Sequence, residues 1–366
     1  MAYKGRFAAK KKKSGAKKAV LNTISVFLLL VIGVGVAAVT YWYKTLGQIN
    51  QAEGLESTMS TEEQQQVLEQ FEQEFAVTEP VDDTEPTDAL VEDEDDFISN
   101  TPKIINVLLV GQDMRPGQTW KLSDTMILCT VNLETKTLVM TSFLRDMYVK
   151  LPNYDGYVCG YNRLNCAYSL GWVKNGTRGS MEMLNMCLLE NFGVQVDHNV
   201  EVDFNGFSQI VETMGGVDIE LEGYEASHLN QNYGWALKSG VNHLNGEQAL
   251  AYARIRKTDN DFYRANRQRT VINALLDKCR TLSISELNKL LNTVLPMITT
   301  NMDSNQITSY ALEILPILPE LQVVSQTIPA DGTYRYANKG TAENPLDVIV
   351  PDLEANREIL RQTIDG

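Results

Sequence analysis

Between Tyr252 and Arg269 the chain carries Arg254, Arg256, Lys257, Arg264, Arg267 and Arg269, five arginines and one lysine in eighteen residues of a protein whose net charge is −15. Guanidinium forks pair with the oxygens of phosphate or carboxylate, a geometry that a lysine point charge does not offer. Such a concentration suits an anion with several oxygens. Alternation from Leu250 to Arg256 predicts a strand with Tyr252, Arg254 and Arg256 on one face. Asp261, Arg264, Arg267 and Gln268 are spaced by three and four, the face of a helix that runs on into Val271, Ile272, Leu275 and Leu276. The free N–H groups at the start of that helix would add to the attraction. The rival reading is a solvated basic face with ion pairs to nearby acids.

Two carboxylates flank an earlier loop, Asp113 after an apolar strand and Asp124 before the next. If those strands lie side by side, both carboxylates emerge at one end of the sheet. Hard oxygen ligands there suit a magnesium ion that keeps several waters and completes its shell with phosphate oxygens. Magnesium with arginines is equipment for phosphoryl chemistry, in which the protein positions groups and neutralises charge. An Asx turn at Asp113 and a loop cap at Asp124 remain the structural alternatives.

The elements that must carry these groups alternate between strand and helix. Ile104–Val110, Thr125–Asn132 and Thr137–Phe143 read as strands, and Val217–Leu221 as another. Met181–Asn191, Phe204–Met214, Gln268–Thr281, Ile284–Ile298, Gln306–Ile314 and Leu353–Ile364 read as helices, the second stopped by Gly215 and Gly216. The pattern predicts an α/β fold, a mixed central sheet with helices on both faces.

Ahead of this domain, residues 1–18 contain eight Lys or Arg and no acid, and residues 19–43 run 25 positions without a charge. At about 1.5 Å per residue the second stretch makes roughly 37 Å of helix, enough to span a bilayer, and it is longer than the apolar core of a signal peptide. The basic tail then places the amino terminus in the cytoplasm and the rest outside. Residues 44–102 form an acidic linker, with 17 Asp or Glu and no Lys or Arg after Lys44. Inside it Ser60–Glu63 resembles a capping box ahead of a helical face of Val67, Leu68, Phe71 and Phe75. That helix could lie on the domain, self-associate or stay a transient stalk.

With +9 in residues 1–44 and −17 in residues 45–102, residues 103–366 keep about −7 of the total. A local basic knot in an acidic domain argues against sequence-blind nucleic-acid binding. No His or Cys cluster has zinc spacing. Five cysteines cannot all pair internally, and Cys159 with Cys166 is the one close pair.

The ordered motifs resemble the LytR-CpsA-Psr family of Gram-positive cell-wall enzymes. They are Gly111-Gln112-Asp113-Met114-Arg115, Ser123-Asp124-Thr125, Ser142-Phe143-Leu144-Arg145-Asp146, Asn165 with Tyr168, Phe204-Asn205-Gly206-Phe207 and Met214-Gly215-Gly216-Val217-Asp218. The series continues through Leu244-Asn245-Gly246 and Ala253-Arg254-Ile255-Arg256 to Asp261, Arg264, Arg267 and Gln268. The resemblance implies a membrane-anchored transferase. It would move a glycopolymer, such as teichoic acid or capsule, from a polyprenyl-pyrophosphate carrier to a peptidoglycan sugar hydroxyl. Position by position it implies magnesium on Asp113 and Asp124, a pyrophosphate grip by Arg145, Arg254, Arg256, Arg264 and Arg267, and orientation by Asp261 and Gln268. Arg115 and Arg163 are further candidates for substrate contact, and Asp113 or Asp261 for the catalytic base. Leu122 stands where the family usually has arginine, Arg163 where lysine is commoner and Cys166 where alanine is usual. A wall of Met181, Met183, Leu184, Met186, Leu188 and Leu189 facing Phe204, Phe207, Ile210, Val211 and Met214 would hold the lipid. A pyrophosphatase using water as acceptor and a lipid-carrier scaffold are the alternatives. An acceptor-sugar groove beside Asp113 separates the first from the transferase.

Overall fold

The computed structural model describes residues 40–52, 55–76, 98, 103–113, 120–256, 260–341 and 344–364. The basic tail, all but the last four residues of the apolar stretch, residues 53–54, 77–97 and 99–102 of the acidic linker, Arg115 and Lys257 lie outside the described residues. Residues 40–46 are helical and belong to a separate unit ending at Gln48. Among the described residues no helix is long and apolar enough to cross a membrane.

The second unit, Ile49–Gly366, runs β1 (Asn50–Gln51), α1 (Thr61–Glu74), β2 (Ile104–Asp113), β3 (Leu122–Asn132), β4 (Thr137–Phe143), β5 (Tyr148–Lys150), β6 (Tyr161–Arg163) and α2 (Leu164–Phe192). Then come β7 (His198–Asp203), α3 (Phe204–Thr213), β8 (Val217–Leu221), α4 (Gly223–Tyr233), β9 (Gly240–Leu244), α5 (Gly246–Ala253), α6 (Asp261–Thr281) and α7 (Ile284–Val294). β10 (Ile298–Thr300), α8 (Ser304–Ile314), β11 (Gln322–Ile328), β12 (Tyr334–Asn338), β13 (Asp347–Pro351) and α9 (Leu353–Ile364) complete it.

Seven strands form one mixed sheet in the order β1-β10-β7-β2-β3-β4-β11. β2, β3 and β4 are antiparallel neighbours, while β7 joins β2 and β11 joins β4 in parallel. The central strands read as nearly continuous apolar runs because both faces are covered. On one face Leu108, Val110, Met126 and Leu128 pack with Met183 and Leu184 of α2 and Leu360 of α9. On the other, Ile105, Ile127 and Met140 meet Ile272 and Leu276 of α6 and Tyr310 of α8. The β8–β9 hairpin builds a smaller core with Val211, Tyr252 and Val271.

Three local outcomes differ from the sequence expectation. The stretch predicted as a strand over 250–256 is mostly α5: Asn245 and Gln248 form a capping box, and the alanines that mimicked alternation are the best helix formers. The helix expected over Ile284–Ile298 stops at Val294, because Pro296 admits only a 3₁₀ turn before β10. The helix expected over Met181–Asn191 is the second half of a 29-residue element broken at Asn175 and Gly176. Its first half is buried on nearly every side and so shows no amphipathic stripe. A Cβ on Gly171 would stand 2.1 Å from the carbonyl oxygen of Gly179, so that bend needs two residues without side chains.

Gly215 and Gly216, at φ +75° and +78°, end α3 as expected. All five cysteines are free thiols, which leaves Cys159 and Cys166 unbonded. The capping box Ser60–Glu63 is formed, and α1 lies on the body: Val67, Leu68 and Phe71 join the core of α2, with Phe71 edge-on to Trp120 at 6.2 Å. Truncating a buried phenylalanine removes its transfer energy and leaves a cavity. Phe71→Ala should therefore lower stability by about 3 kcal/mol in denaturant unfolding.

Candidate active site

The strand register carries Asp113 and Asp124 to the same end of the sheet. Asp113 pairs with Leu122 across a β-bulge, and Asp124 follows two residues later inside β3, which starts earlier than its apolar run suggested. Asp124 is 8% exposed, and both its carboxylate oxygens are engaged. Arg145, in the turn after β4, donates to Oδ1 at 2.5 Å, and Arg256, just beyond α5, donates to Oδ2 at 2.8 Å. Arg264 on α6 reaches the Asp124 carbonyl at 3.4 Å and the Asp261 carboxylate at 2.8 Å. Asp146 and Asp261 stand 3.4 Å and 4.0 Å from Arg145 Nε.

The charges set each other's protonation. Burial works to raise the Asp124 pKa, but Arg145, Arg256 and Arg264 outweigh it and hold the carboxyl below its usual range. Asp261 goes the other way: burial raises its pKa against the pull of Arg264 and Arg145. Burial also lowers Arg264 to about 10, despite Asp261. Among the described residues, three guanidinium nitrogens, Arg264 Nε and Nη1 and Arg145 Nε, are buried without a hydrogen-bond partner. Orphan donors of this kind cost about 1–3 kcal/mol each, more when charged. They border a void of about 10 Å³ lined by Asp124, Arg145, Asp261, Arg264 and Gln268.

A second cavity, of about 260 Å³ and almost wholly apolar, opens on the far side of Gln268. The sheet supplies Leu109, Ile127 and Val200, α3 supplies Phe204 and Phe207, and α6 supplies Ile272. Arg254 caps α5 at its rim, its guanidinium 4.1 Å from the Phe204 ring. The expected methionine wall is not there. Met183, Leu184 and Leu188 belong to the core on the opposite face of the sheet, because α2 covers that face. Phe204, Phe207 and Ile210 do line the cavity.

Of the expected site residues, Asp124, Arg145, Arg256, Asp261, Arg264 and Gln268 converge, and Arg254 borders them. Arg267 does not join: it is 2% exposed and donates to the buried Glu225 at 3.1 Å and to the Ile255 carbonyl at 3.0 Å. It holds the segment carrying Arg254 and Arg256 in place. Arg163 is likewise committed, to the Asp347 carbonyl at 3.1 Å and to Asp146 at 3.5 Å. Asp146 and Glu225 were not assigned roles from sequence. The first follows Arg145 directly, and the second sits at the third position of a capping box.

A magnesium ion fits the donor chemistry here. Asp124 is ionised, each carboxylate oxygen has a further lone pair, and Asp113 ends the neighbouring strand. Among the described residues no group of three or more His, Cys, Asp or Glu forms a metal cage, and an ion that borrows phosphate oxygens does not require one.

A protein-family model described as the LytR_cpsA_psr family matches residues 59–351. Biofilm regulatory protein A of Streptococcus mutans serotype c is 30% identical over 276 residues, covering 71% of this chain and 62% of that protein. TagV of Bacillus subtilis, named as a polyisoprenyl-teichoic acid--peptidoglycan teichoic acid transferase, is 35% identical over 187 residues, 49% of this chain and 45% of its own length. The chain thus aligns with less than two thirds of either relative. A solved structure of a LytR-CPS2A-psr family protein, YwtF (TagT) with bound octaprenyl pyrophosphate lipid, shares the fold at a TM-score of 0.52 and 21% identity, covering 74% of this chain and 93% of that one.

The two aspartates give opposite pH signatures. The depressed pKa of Asp124 contributes stability that is present above about pH 4, the unfolded value, and is lost as pH falls below it. The raised pKa of Asp261 favours the fold at low pH and loses that contribution as pH rises through the folded value. Urea unfolding across pH should show Asp124→Asn about 3 kcal/mol less stable than wild type at pH 7, with the gap closing on acidification.

Proposed function

Because the chain belongs to the LytR_cpsA_psr family, we propose that it transfers a glycopolymer from a polyprenyl-pyrophosphate carrier to a peptidoglycan sugar hydroxyl. The observation that carries this reading is the set of orphaned guanidinium donors of Arg145 and Arg264 beside an apolar cavity, with Gln268 in the wall of both. An anion with a hydrocarbon tail satisfies both halves. The named activity of TagV and the lipid bound to the TagT structure support the same choice.

In this reaction the acceptor oxygen attacks the phosphorus that bears the glycan. The bond from that phosphorus to the bridging oxygen breaks, and polyprenyl phosphate leaves with the electron pair. Glycan and acceptor are then joined by a phosphodiester. Arg145, Arg256 and Arg264 neutralise the pyrophosphate and stabilise the charge that develops on the bridging oxygen. Arg254, already above the Phe204 ring, steadies the phosphate nearest the lipid. Asp261, with its raised pKa, takes the hydroxyl proton and is held for that by Arg264. Magnesium, on Asp113 and Asp124, would neutralise further phosphate charge. The uncharged residues 19–43, behind their basic tail, would keep the domain at the outer membrane surface where such a carrier is available.

Mixing the full chain in detergent with a polyprenyl-pyrophosphate glycan, magnesium and a peptidoglycan oligomer tests this by mass spectrometry. The expected product joins glycan to oligomer through one phosphate. Arg254→Ala with Arg256→Ala should cut its formation by roughly a thousandfold while circular dichroism shows the fold intact. Full activity in that double variant, or glycan phosphate as the sole product, would overturn the assignment.

A further inference from the structure

Beside the arginine cluster lies a third cavity, of about 270 Å³, whose wall is polar: Asn50, Gln112, Glu201, Asp203, Asn205 and Gln209 line it, with no Lys, Arg or His among the described lining. Its hydrogen-bond inventory is incomplete in a directional way. Asn50 spends its amide hydrogens on the carbonyls of Pro296 and Ile298, at 3.1 and 3.2 Å, and keeps its oxygen. Glu201 is 3% exposed and receives only Tyr168, on Oε2 at 2.7 Å. Asp203 spends Oδ1 on the Gly206 N–H at the start of α3, at 2.7 Å. Among the described residues, Gln112 Oε1 is buried with no hydrogen-bond partner. Four acceptors from three strands, β1, β2 and β7, therefore face a space with too few donors, while Asn205 and Gln209 of α3 bring amides that can both give and receive.

Place and size narrow the occupant. Gln112 precedes Asp113 and pairs with Asp203 on one side and with Ser123, the neighbour of Asp124, on the other. Asp203 also belongs to the wall of the apolar cavity. The space exceeds by more than tenfold the roughly 10–15 Å³ that one water needs, so a bare cation would leave it largely unfilled. A neutral sugar ring, with several hydroxyl donors that also accept, completes this wall.

We propose that this cavity is the acceptor-sugar subsite, which takes a hydroxyl-rich N-acetylhexosamine ring and presents one hydroxyl to the phosphorus at the arginine cluster. The inference rests on the transfer reading for the meaning of the word acceptor. It also supplies what that reading needs over simple hydrolysis, a place for a sugar beside Asp113.

The test titrates the full chain in detergent with a soluble β-1,4-linked N-acetylhexosamine disaccharide, without lipid or metal, by calorimetry. Wild type should bind, and Glu201→Gln and Gln209→Leu should each weaken binding roughly tenfold through a lost hydrogen bond. Gln209 is exposed on α3, so its variant keeps the test open should Glu201→Gln fail to fold. Equal affinity in wild type and both variants, or no binding by wild type, overturns the proposal. So does tight binding of calcium chloride alone that disappears in Glu201→Gln without any sugar binding. A separate titration of wild type with polyprenyl pyrophosphate addresses the transfer reading: its failure with sugar binding intact removes the lipid donor and leaves the sugar site.

Discussion

The structure turns on a buried carboxylate held by two guanidiniums that come from far apart in the chain. Asp124 sits inside a central strand, where an isolated negative charge would be strongly disfavoured by lost hydration. One arginine relieves this only in part. The turn after β4 and the segment after α5 must both arrive, 21 and 132 residues away in sequence, for each oxygen to be occupied. Convergence of those segments therefore stabilises the fold as well as assembling the candidate site. It also means that the cations are already desolvated and gathered round one point before any anion of the kind proposed is bound.

That clamp governs what lies around it. Arg267 is committed elsewhere: its pairing with Glu225 and the Ile255 carbonyl keeps Arg254 and Arg256 on station. Arg163 and Asp146 similarly tie the β12–β13 hairpin to the turn of Arg145, with Ile349 N–H donating to the Asp146 carbonyl at 2.9 Å. Gln268 then stands where charge gives way to hydrocarbon. An amphiphile of the kind proposed would meet the two environments in the order of its own parts.

Much of this was legible in the residues. The three-and-four spacing of Asp261, Arg264 and Gln268 names a helix face, and that face does look into the site. The paired glycines and the Ser60–Glu63 box are local signals, and local signals hold because few neighbours can override them. Failures came where partners are remote. Arg267 shares the same helical spacing as Arg264, yet one turn of helix places it against a glutamate that no local pattern could pair with it. The methionines of α2 were attractive as an adaptable wall, but which side of a sheet a helix covers is decided by chain connectivity. Alternation at 250–256 misled because alanine fits either period, and the capping box at Asn245 was the more specific signal. The polar cavity was invisible for the same reason, since its wall is assembled from β1, β2, β7 and α3.

Asn50 adds a consequence of a mechanical kind. β1 is only two residues long, and it is fastened to the body by its pairing with β10 and by the side-chain amide of Asn50 on Pro296 and Ile298. A load on the backbone ahead of Asn50 meets this short pairing before it meets α1, whose apolar face is buried in the main core. With two residue pairs and one side chain to hold it, this anchorage is slighter than that of the sheet or of α1. Because Asn50 is also a wall of the polar cavity, one side of that chamber depends on this short pairing, whereas the arginine clamp on Asp124 is built from other segments.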